Sequence, residues 1–407
     1  MATGGRGLPL HEVNERAALT PAATLDGFLD PAPGGAAAGA WLETEPLSLV
    51  SPEVLIPALA GRLGGSGWPA WGDGSHGAAR GDTLLARAPD AFWWPRTGVV
   101  ADASGRVFEA TAGEARTWSA DLSRMPFVSA TGAAGDVTLT PPAILPGLGP
   151  ASVFMAFGGV RNYGHFILDC LPALLALHEA GVTRSHPPCA PPLAAWHRDL
   201  LTLAFGGELK VAERRDPILR VKDAAFSNLM NHFLHRPNAI LLRLRSRILS
   251  RAPQADPRTS RRLYFTRRRF PQRLMLEEAA LEVALRARGF QVLEPERLTP
   301  AQQVQAMRDC AVLVAPAGAA LANALFLPPG AKVFEILPSN FASYWTRDLA
   351  RLAGLDWFGY FCPSPLARRD EPLTARLKQG SRRVFGKYAF SFRLPLAPFL
   401  AFLDERL

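Results

Sequence analysis

Three stretches of the chain carry residue types that could do chemistry. The first is Arg161-Asn162-Tyr163-Gly164-His165-Phe166-Ile167-Leu168-Asp169. At about 100° per helical residue, His165 and Asp169 lie about 40° apart on one face. An imidazole beside a carboxylate can act as a general base, because the carboxylate fixes its tautomer and stabilises the cation. The bland alternative is an i, i+4 pair that holds a helix and is worth about 0.2–0.5 kcal/mol. Ala173 and Ala176 continue the same face with small side chains, leaving room for a ligand or another backbone. The second stretch is Thr266-Arg267-Arg268-Arg269, followed by Arg273. Guanidinium groups fork onto phosphate oxygens, so this run could grip a diphosphate; otherwise it is a solvated charge run. The third is Ala315-Pro316-Ala317-Gly318-Ala319-Ala320-Leu321-Ala322-Asn323, where tiny residues open the backbone to close approach at a helix start. It is neither GxGxxG nor a P-loop, and small residues also serve close helix–sheet packing.

Other constellations are absent. The sequence has no HExxH, no GxSxG and no Asp-x-Asp, and the remaining histidines lack ligand spacing. No catalytic metal and no cofactor are expected.

The elements that must position these residues follow from periodicity. Ile167, Leu171, Leu174, Leu175 and His178 mark one buried stripe of a helix over 163–180, on the side away from His165 and Asp169. Pro172 inside it predicts a kink. From about 80 to 160, short apolar runs broken by Gly and Asp read as strands. Leu263-Tyr264-Phe265 predicts a strand that runs straight into the arginines, then a helix over 276–288 ending at Gly289. Phe290–Leu293 predicts a strand, and Thr299-Pro300-Ala301-Gln302 a capped helix start. A strand over 311–315, a short helix over 319–325 and a strand over 332–337 complete the alternation. Strands alternating with helices imply βαβ units, a parallel sheet and a Rossmann-like half. Ligands of such sheets bind beyond the carboxyl ends of the strands, where both the arginines and Gly318 fall.

The 407 residues, 48% hydrophobic and 20% charged, suit a globular chain of two domains. Residues 1–45 are rich in Ala, Gly and Pro and read as a flexible segment. An N-terminal α/β domain with a strand-rich start is expected over 46–250. The polar stretch 252–261 is the best linker, with a Rossmann-like domain over 258–365. A tail over 366–407 is expected to pack back on the N-terminal domain. The net charge of +9 suits an anionic partner such as a phosphate-rich substrate, an acidic membrane or nucleic acid. Arginine enrichment throughout a high-GC genome would produce the same excess. Four cysteines without CxxC spacing, no signal-peptide core and no long apolar run suggest a cytoplasmic protein. Contact with the inner membrane face would be peripheral.

The run Asn162-Tyr163-Gly164-His165-Phe166, with Asp169 and Leu171-Pro172, resembles the N-Y-x-H-[WF]-x-x-D-x-L-P signature of glycosyltransferase family 61. That family includes bacterial capsular polysaccharide biosynthesis proteins and eukaryotic xylosyl- and N-acetylglucosaminyltransferases. The similarity continues through Tyr264-Phe265-Thr266-Arg267, Arg273, Glu277, Leu298-Thr299, Gln302-Gln303, Gly318–Asn323, Phe326, Pro328-Pro329-Gly330 and Glu335. It covers about 162–337.

The resemblance implies a GT-B-like α/β fold, two Rossmann-like domains facing across a cleft. The implied activity is inverting, metal-independent transfer of a hexosyl or pentosyl group from a nucleotide-sugar, expected to be UDP-linked, to a glycan or glycolipid hydroxyl. His165 would be the base and Asp169 its orienting partner or the base itself. Arg267 and Arg273 would hold the diphosphate beside Pro316, Ala317 and Gly318, with Asn323 and Glu335 toward the nucleoside. Asn162 and Tyr163 would lie on the acceptor side. Many members carry His where this chain has Ala317, and Thr266 and Leu276 replace the usual Ser and Asn. That departure supports a rival reading, a degenerate transferase fold serving as a scaffold. A nucleic-acid binder lacks any supporting motif, and no nucleic-acid partner is expected.

Overall fold

The computed structural model describes residues 6–8, 20–22, 38–42, 83–103, 108, 111, 126–131, 136–139, 145–230, 239–253, 260–270, 273–338, 345–362 and 392–407. These fall into two compact α/β units, and the chain passes from one to the other at Arg251–Ala252. Residues 254–259, the heart of the expected linker, lie outside the described residues.

The first unit contains β1 (Arg6–Leu8), β2 (Thr20–Ala22), β3 (Ala38–Leu42), β4 (Thr83–Trp93), β5 (Val100–Ala101), β6 (Val128–Thr131), β7 (Asp136–Leu139), β8 (Gly147–Val153), β9 (Pro188–Ala190), β10 (Ala212–Glu213) and β11 (Leu219–Ser227). The main sheet is ordered β10-β9-β8-β11-β4-β3-β2, with β5 on β4, and β1-β7-β6 form a small second sheet. Strands β10, β9, β8 and β11 are parallel, whereas β4 runs antiparallel to β11 from Trp93↔Leu219 to Leu85↔Ser227. Three short pieces of the segment 1–45, expected to be flexible, are described. Arg6–Leu8, Thr20–Ala22 and Ala38–Leu42 pair into sheets, because a ladder satisfies backbone groups whatever the side chains. The rest of 1–45 lies outside the described residues.

Its helices are α1 (Tyr163–His165), a π-helical turn (Phe166–Cys170), α2 (Leu171–Glu179), α3 (Val182–Ser185), α4 (Ala195–Phe205) and α5 (Ala239–Arg251). Every residue of α2 from Leu171 to Leu177 is buried. The helix packs on β11, β8 and β4 and on α3 and α5, so the single apolar stripe expected from the sequence is an apolar surface all round. Ala173 and Ala176 therefore leave space for neighbouring elements and not for a ligand. Pro172 does not sit in the interior of a continuous α-helix. It falls in the first turn of α2, after a π turn in which the Leu171 amide donates to the Phe166 carbonyl. That wider turn absorbs the missing N–H and the crowding that proline brings.

The second unit contains β12 (Arg261–Phe265), β13 (Phe290–Leu293), β14 (Cys310–Pro316), β15 (Lys332–Pro338) and β16 (Asp356–Cys362). All pair in parallel, in the order β13-β12-β14-β15-β16. Helices α6 (Glu278–Arg286), α7 (Pro300–Arg308), α8 (Trp345–Ala353) and α9 (Leu396–Asp404) alternate with or follow the strands. The capping box at α7 is formed as its sequence requires. Gln302 N–H donates to Thr299 Oγ1 at 3.3 Å, and Thr299 N–H donates to Gln302 Oε1 at 2.8 Å.

Three expectations are adjusted here. The helix expected from 276 starts at Glu278, because the Leu276 amide donates to the Phe392 carbonyl at 3.1 Å. The short helix after Gly318 is a 3-10 helix, Ala319–Phe326. The described part of the tail, 392–407, belongs to the core of the second unit. Phe392, Phe399, Phe402 and Leu403 pack with Phe334, Tyr360 and Leu285, and Arg288 forks onto Asp404 with two bonds of 2.8 Å. The apolar residues of that segment require burial without fixing which sheet covers them.

Candidate functional site

Five parallel strands in the order 2-1-3-4-5 have one switch point. The chain leaves β12 toward one side and β14 toward the other, so the loops after these two strands diverge and open a crevice at their carboxyl ends. Arg267 is the second residue after β12, and Gly318 the second after β14. The two lie against one another, since a Cβ on Gly318 would run into the Arg267 guanidinium. Backbone conformation is not what selects glycine here, because φ of 178° is extended. The requirement is the close approach of the arginine. Pro316 ends β14, and Ala317 is buried with its amide donating to the Ile336 carbonyl at 2.9 Å.

The three consecutive arginines have different fates. Arg268 faces Glu282 at 3.5 Å and Arg269 meets Glu294 at 2.7 Å. The Arg267 guanidinium instead lies 5.4 Å from the centre of the Phe270 ring, over Gly318. Arg273 holds a left-handed backbone with φ of 57°, uncommon for a residue with a side chain and typical of sites where the surroundings impose it. Burial and the nearby Arg267 charge push its guanidinium down to about 9, opposed by Glu335. Two cations are thus held close together in a partly desolvated place, an arrangement that an anion relieves.

Glu335 is 1% exposed on β15 and accepts from Thr346 Oγ1 at 3.2 Å and Trp357 Nε1 at 3.0 Å. Burial pushes its carboxyl up to about 8, against the pull of those bonds and of Arg273. Asn323 is fully buried and donates to Gln303 Oε1 at 2.7 Å and to the Ala320 carbonyl at 3.0 Å. Both expected nucleoside contacts therefore spend polar atoms on protein partners inside the unit.

Under Arg267 lies a buried polar network absent from the sequence reading. Glu278 Oε1 accepts from Tyr264 OH at 2.8 Å, Thr266 Oγ1 at 2.9 Å and the Arg267 amide at 2.6 Å. Thr266 Oγ1 also lies 2.8 Å from Glu282 Oε1, so its single proton is shared between the two acids. The signal was present in Glu278 and Glu282, an i, i+4 pair of acids on the helix face that otherwise carries Leu281 and Leu285 into the core.

In the first unit, Asn162 caps the helix that carries the His–Asp pair. Its Oδ1 accepts from the Gly164 amide at 2.9 Å and the His165 amide at 3.3 Å, a cap worth about 0.5–2 kcal/mol. His165 Nδ1 lies 3.0 Å from Asp169 Oδ2, with the carboxylate buried and the imidazole largely so. The π turn therefore keeps the pair together. Tyr163 packs its ring 5.8 Å from Trp196, and Phe166 packs edge-on against Trp196 and His197. His197, one of the histidines without ligand spacing, fixes the turn before the helix. Its Nδ1 accepts from the Ala194 amide at 2.9 Å, and Nε2 bonds the Gly159 carbonyl at 3.0 Å. Burial lowers its tendency to protonate.

Three arginines of α5 pair within the unit: Arg243 with Glu179, and Arg247 and Arg251 with Glu208. The four cysteines are free and buried, and burial raises the Cys310 thiol to about 12, which keeps it unreactive. Among the described residues no group of three or more His, Cys, Asp or Glu converges, and no helix is long and apolar enough to cross a membrane.

No curated protein matches the chain. A family model does, described as Glycosyltransferase 61, over residues 163–334. The matched stretch begins at the Tyr163–Asp169 helix and runs through Arg267 and Gly318 to Phe334 on β15, so it contains both constellations. Over this region, residues 163–334, the match supports membership of glycosyltransferase family 61, a family of sugar-transferring enzymes.

Proposed function

We propose that this protein is an inverting, metal-independent glycosyltransferase that moves a sugar from a nucleotide donor to a glycan or glycolipid hydroxyl. The observation that carries this reading is the placement of Arg267 over Gly318 at the switch point, with Arg273 beside it. A departing nucleoside diphosphate needs countercharge where the glycosidic C–O bond breaks, and two guanidinium groups supply it. The donor would lie along Pro316, Ala317 and Gly318, a UDP-sugar being the first candidate.

His165 and Asp169 supply the other half of the chemistry. An imidazole that donates Nδ1–H to a carboxylate carries its lone pair on Nε2. That nitrogen takes the proton of the acceptor hydroxyl as its oxygen attacks the anomeric carbon from the face opposite the leaving group. The bond to the diphosphate oxygen breaks, and the nucleoside diphosphate leaves with the electron pair. Asn162 sets the entry of this helix, and Tyr163 presents an aromatic ring for the acceptor side. Bringing both constellations onto one donor requires a GT-B arrangement, which belongs to the proposal. So do a role in cell-surface polysaccharide assembly, such as a capsule, and a cytoplasmic location with peripheral contact at the inner membrane face.

The test incubates the full chain with UDP-, GDP-, CMP- and dTDP-sugars, in EDTA and in magnesium, and follows nucleotide release and the anomeric configuration of the product. Release from one donor in EDTA with inversion is the expected result. Tight nucleotide binding without turnover for any acceptor would favour the scaffold reading, to which Ala317 gives its support. Strict dependence on magnesium would refute metal independence.

A further inference from the structure

We infer that Glu278 is a positioning residue for Arg267, and that this buried carboxylate, through the backbone, aims the guanidinium at its anion. The inference rests on the reading of Arg267 as a ligand of the donor diphosphate. Where the chain leaves β12 it must turn from strand into loop, and the first amide after Thr266 is that of Arg267. Glu278 Oε1 takes this amide at 2.6 Å, the shortest of the three bonds it accepts. A charge-assisted bond from a carboxylate on a helix fixes the loop to α6 more firmly than a neutral acceptor would. With the Arg267 Cα fixed, its side chain runs across to Gly318, where no Cβ stands in the way.

The next residue toward the N-terminus ties the same loop to the C-terminal segment. Glu277 accepts from the Leu394 amide at 2.8 Å and from Arg393 at 3.1 Å. Phe392 is stitched to the same loop by its amide to the Leu274 carbonyl at 3.0 Å and by the Leu276 amide to its own carbonyl at 3.1 Å. Thus two adjacent acids at the start of α6 pin the single β12–α6 loop that carries both cations, one to the end of β12 and one to the C-terminal segment.

Isothermal titration of the full chain with inorganic pyrophosphate and with UDP tests this. Glu278→Met keeps the volume and removes the acceptor, whereas Glu278→Gln keeps an acceptor oxygen. The Met variant is expected to weaken binding about tenfold and the Gln variant less than about threefold. Leu281→Ala, a buried change in the same helix, is expected to lower the melting point without changing affinity. In an Arg267→Ala background, Glu278→Met is expected to cost nothing further, which a merely structural role would not produce. If Glu278→Met does not fold, Glu278→Asp, whose carboxylate is drawn back by one methylene, is expected to show the same loss and the same coupling. Wild-type affinity in the folded Met or Asp variant, or an equal loss in both backgrounds, overturns the inference. Arg267→Ala binding as tightly as wild type would instead sink the diphosphate reading on which it rests.

Discussion

The two units hold their chemistry in opposite ways. In the first, His165 and Asp169 are four residues apart on one short helical stretch, and local geometry alone brings Nδ1 to within 3.0 Å of the carboxylate. In the second, Arg267 and Gly318 come from distant points in the chain. Only the strand order places them against each other, β12 and β14 being neighbours with diverging loops. A pair set by helical spacing tolerates changes in the sheet. A pair set by topology depends on everything that fixes the ends of two strands. The first unit is accordingly expected to lose chemistry when one side chain is removed, and the second to lose affinity when backbone room is taken away.

The largest expected effect follows from the local pair. His165→Ala should lower kcat about 10²- to 10⁴-fold, the usual contribution of a positioned base, while leaving UDP affinity near wild type. Asp169→Asn should fall in the same direction by less. A loss confined to donor affinity would show that the pair does not serve as a base. An intermediate effect is expected at the topological pair. Gly318→Ala puts a methyl group where the Arg267 guanidinium lies, and should weaken UDP binding about 10- to 100-fold with kcat at saturation less affected. Unchanged affinity would separate Arg267 from the donor site.

Per pH unit, the smallest effect is a pH dependence of stability belonging to the second unit. Burial raises the Glu335 carboxyl from 4.5 to about 8. Between those values the folded chain holds a proton that the unfolded chain has lost. Stability from this group is therefore fully present below about pH 4.5 and falls as pH rises toward 8, by at most about 1.4 kcal/mol per pH unit. Glu335→Gln should flatten that slope in denaturant titrations at pH 5, 6.5 and 8. A slope unchanged by the substitution would mean that the Glu335 carboxylate is ionised across the range.

The sequence made local features legible and left assembled ones hidden. The α/β alternation of the second unit follows from strand-length apolar runs, the Thr299–Gln302 box and Gly289, whose φ of 79° ends a helix. The His165–Asp169 contact follows from spacing. By contrast, nothing in Thr266-Arg267-Arg268-Arg269 says that Arg268 and Arg269 turn to Glu282 and Glu294 while Arg267 alone crosses to Gly318. Glu278 was overlooked because an acid at a helix start ordinarily faces solvent, and only the end of β12 gives it three donors. The small residues Ala173 and Ala176 suggested space for a ligand, but smallness in a helix covered on all sides is close packing. The C-terminal segment misled for a related reason, since a hydrophobic face specifies burial without specifying against what.

The most direct test of the account is a thermal-shift screen with UDP, GDP, CMP and dTDP, with and without magnesium, on wild type and Arg267→Ala. A ligand at about 100 times its Kd adds about 2.7 kcal/mol to stability, a shift that is readily measured. The account predicts stabilisation by one nucleoside diphosphate, independent of magnesium and abolished in the variant. Equal stabilisation of both proteins, or of neither, would contradict the assignment of Arg267 and Gly318 as the donor site.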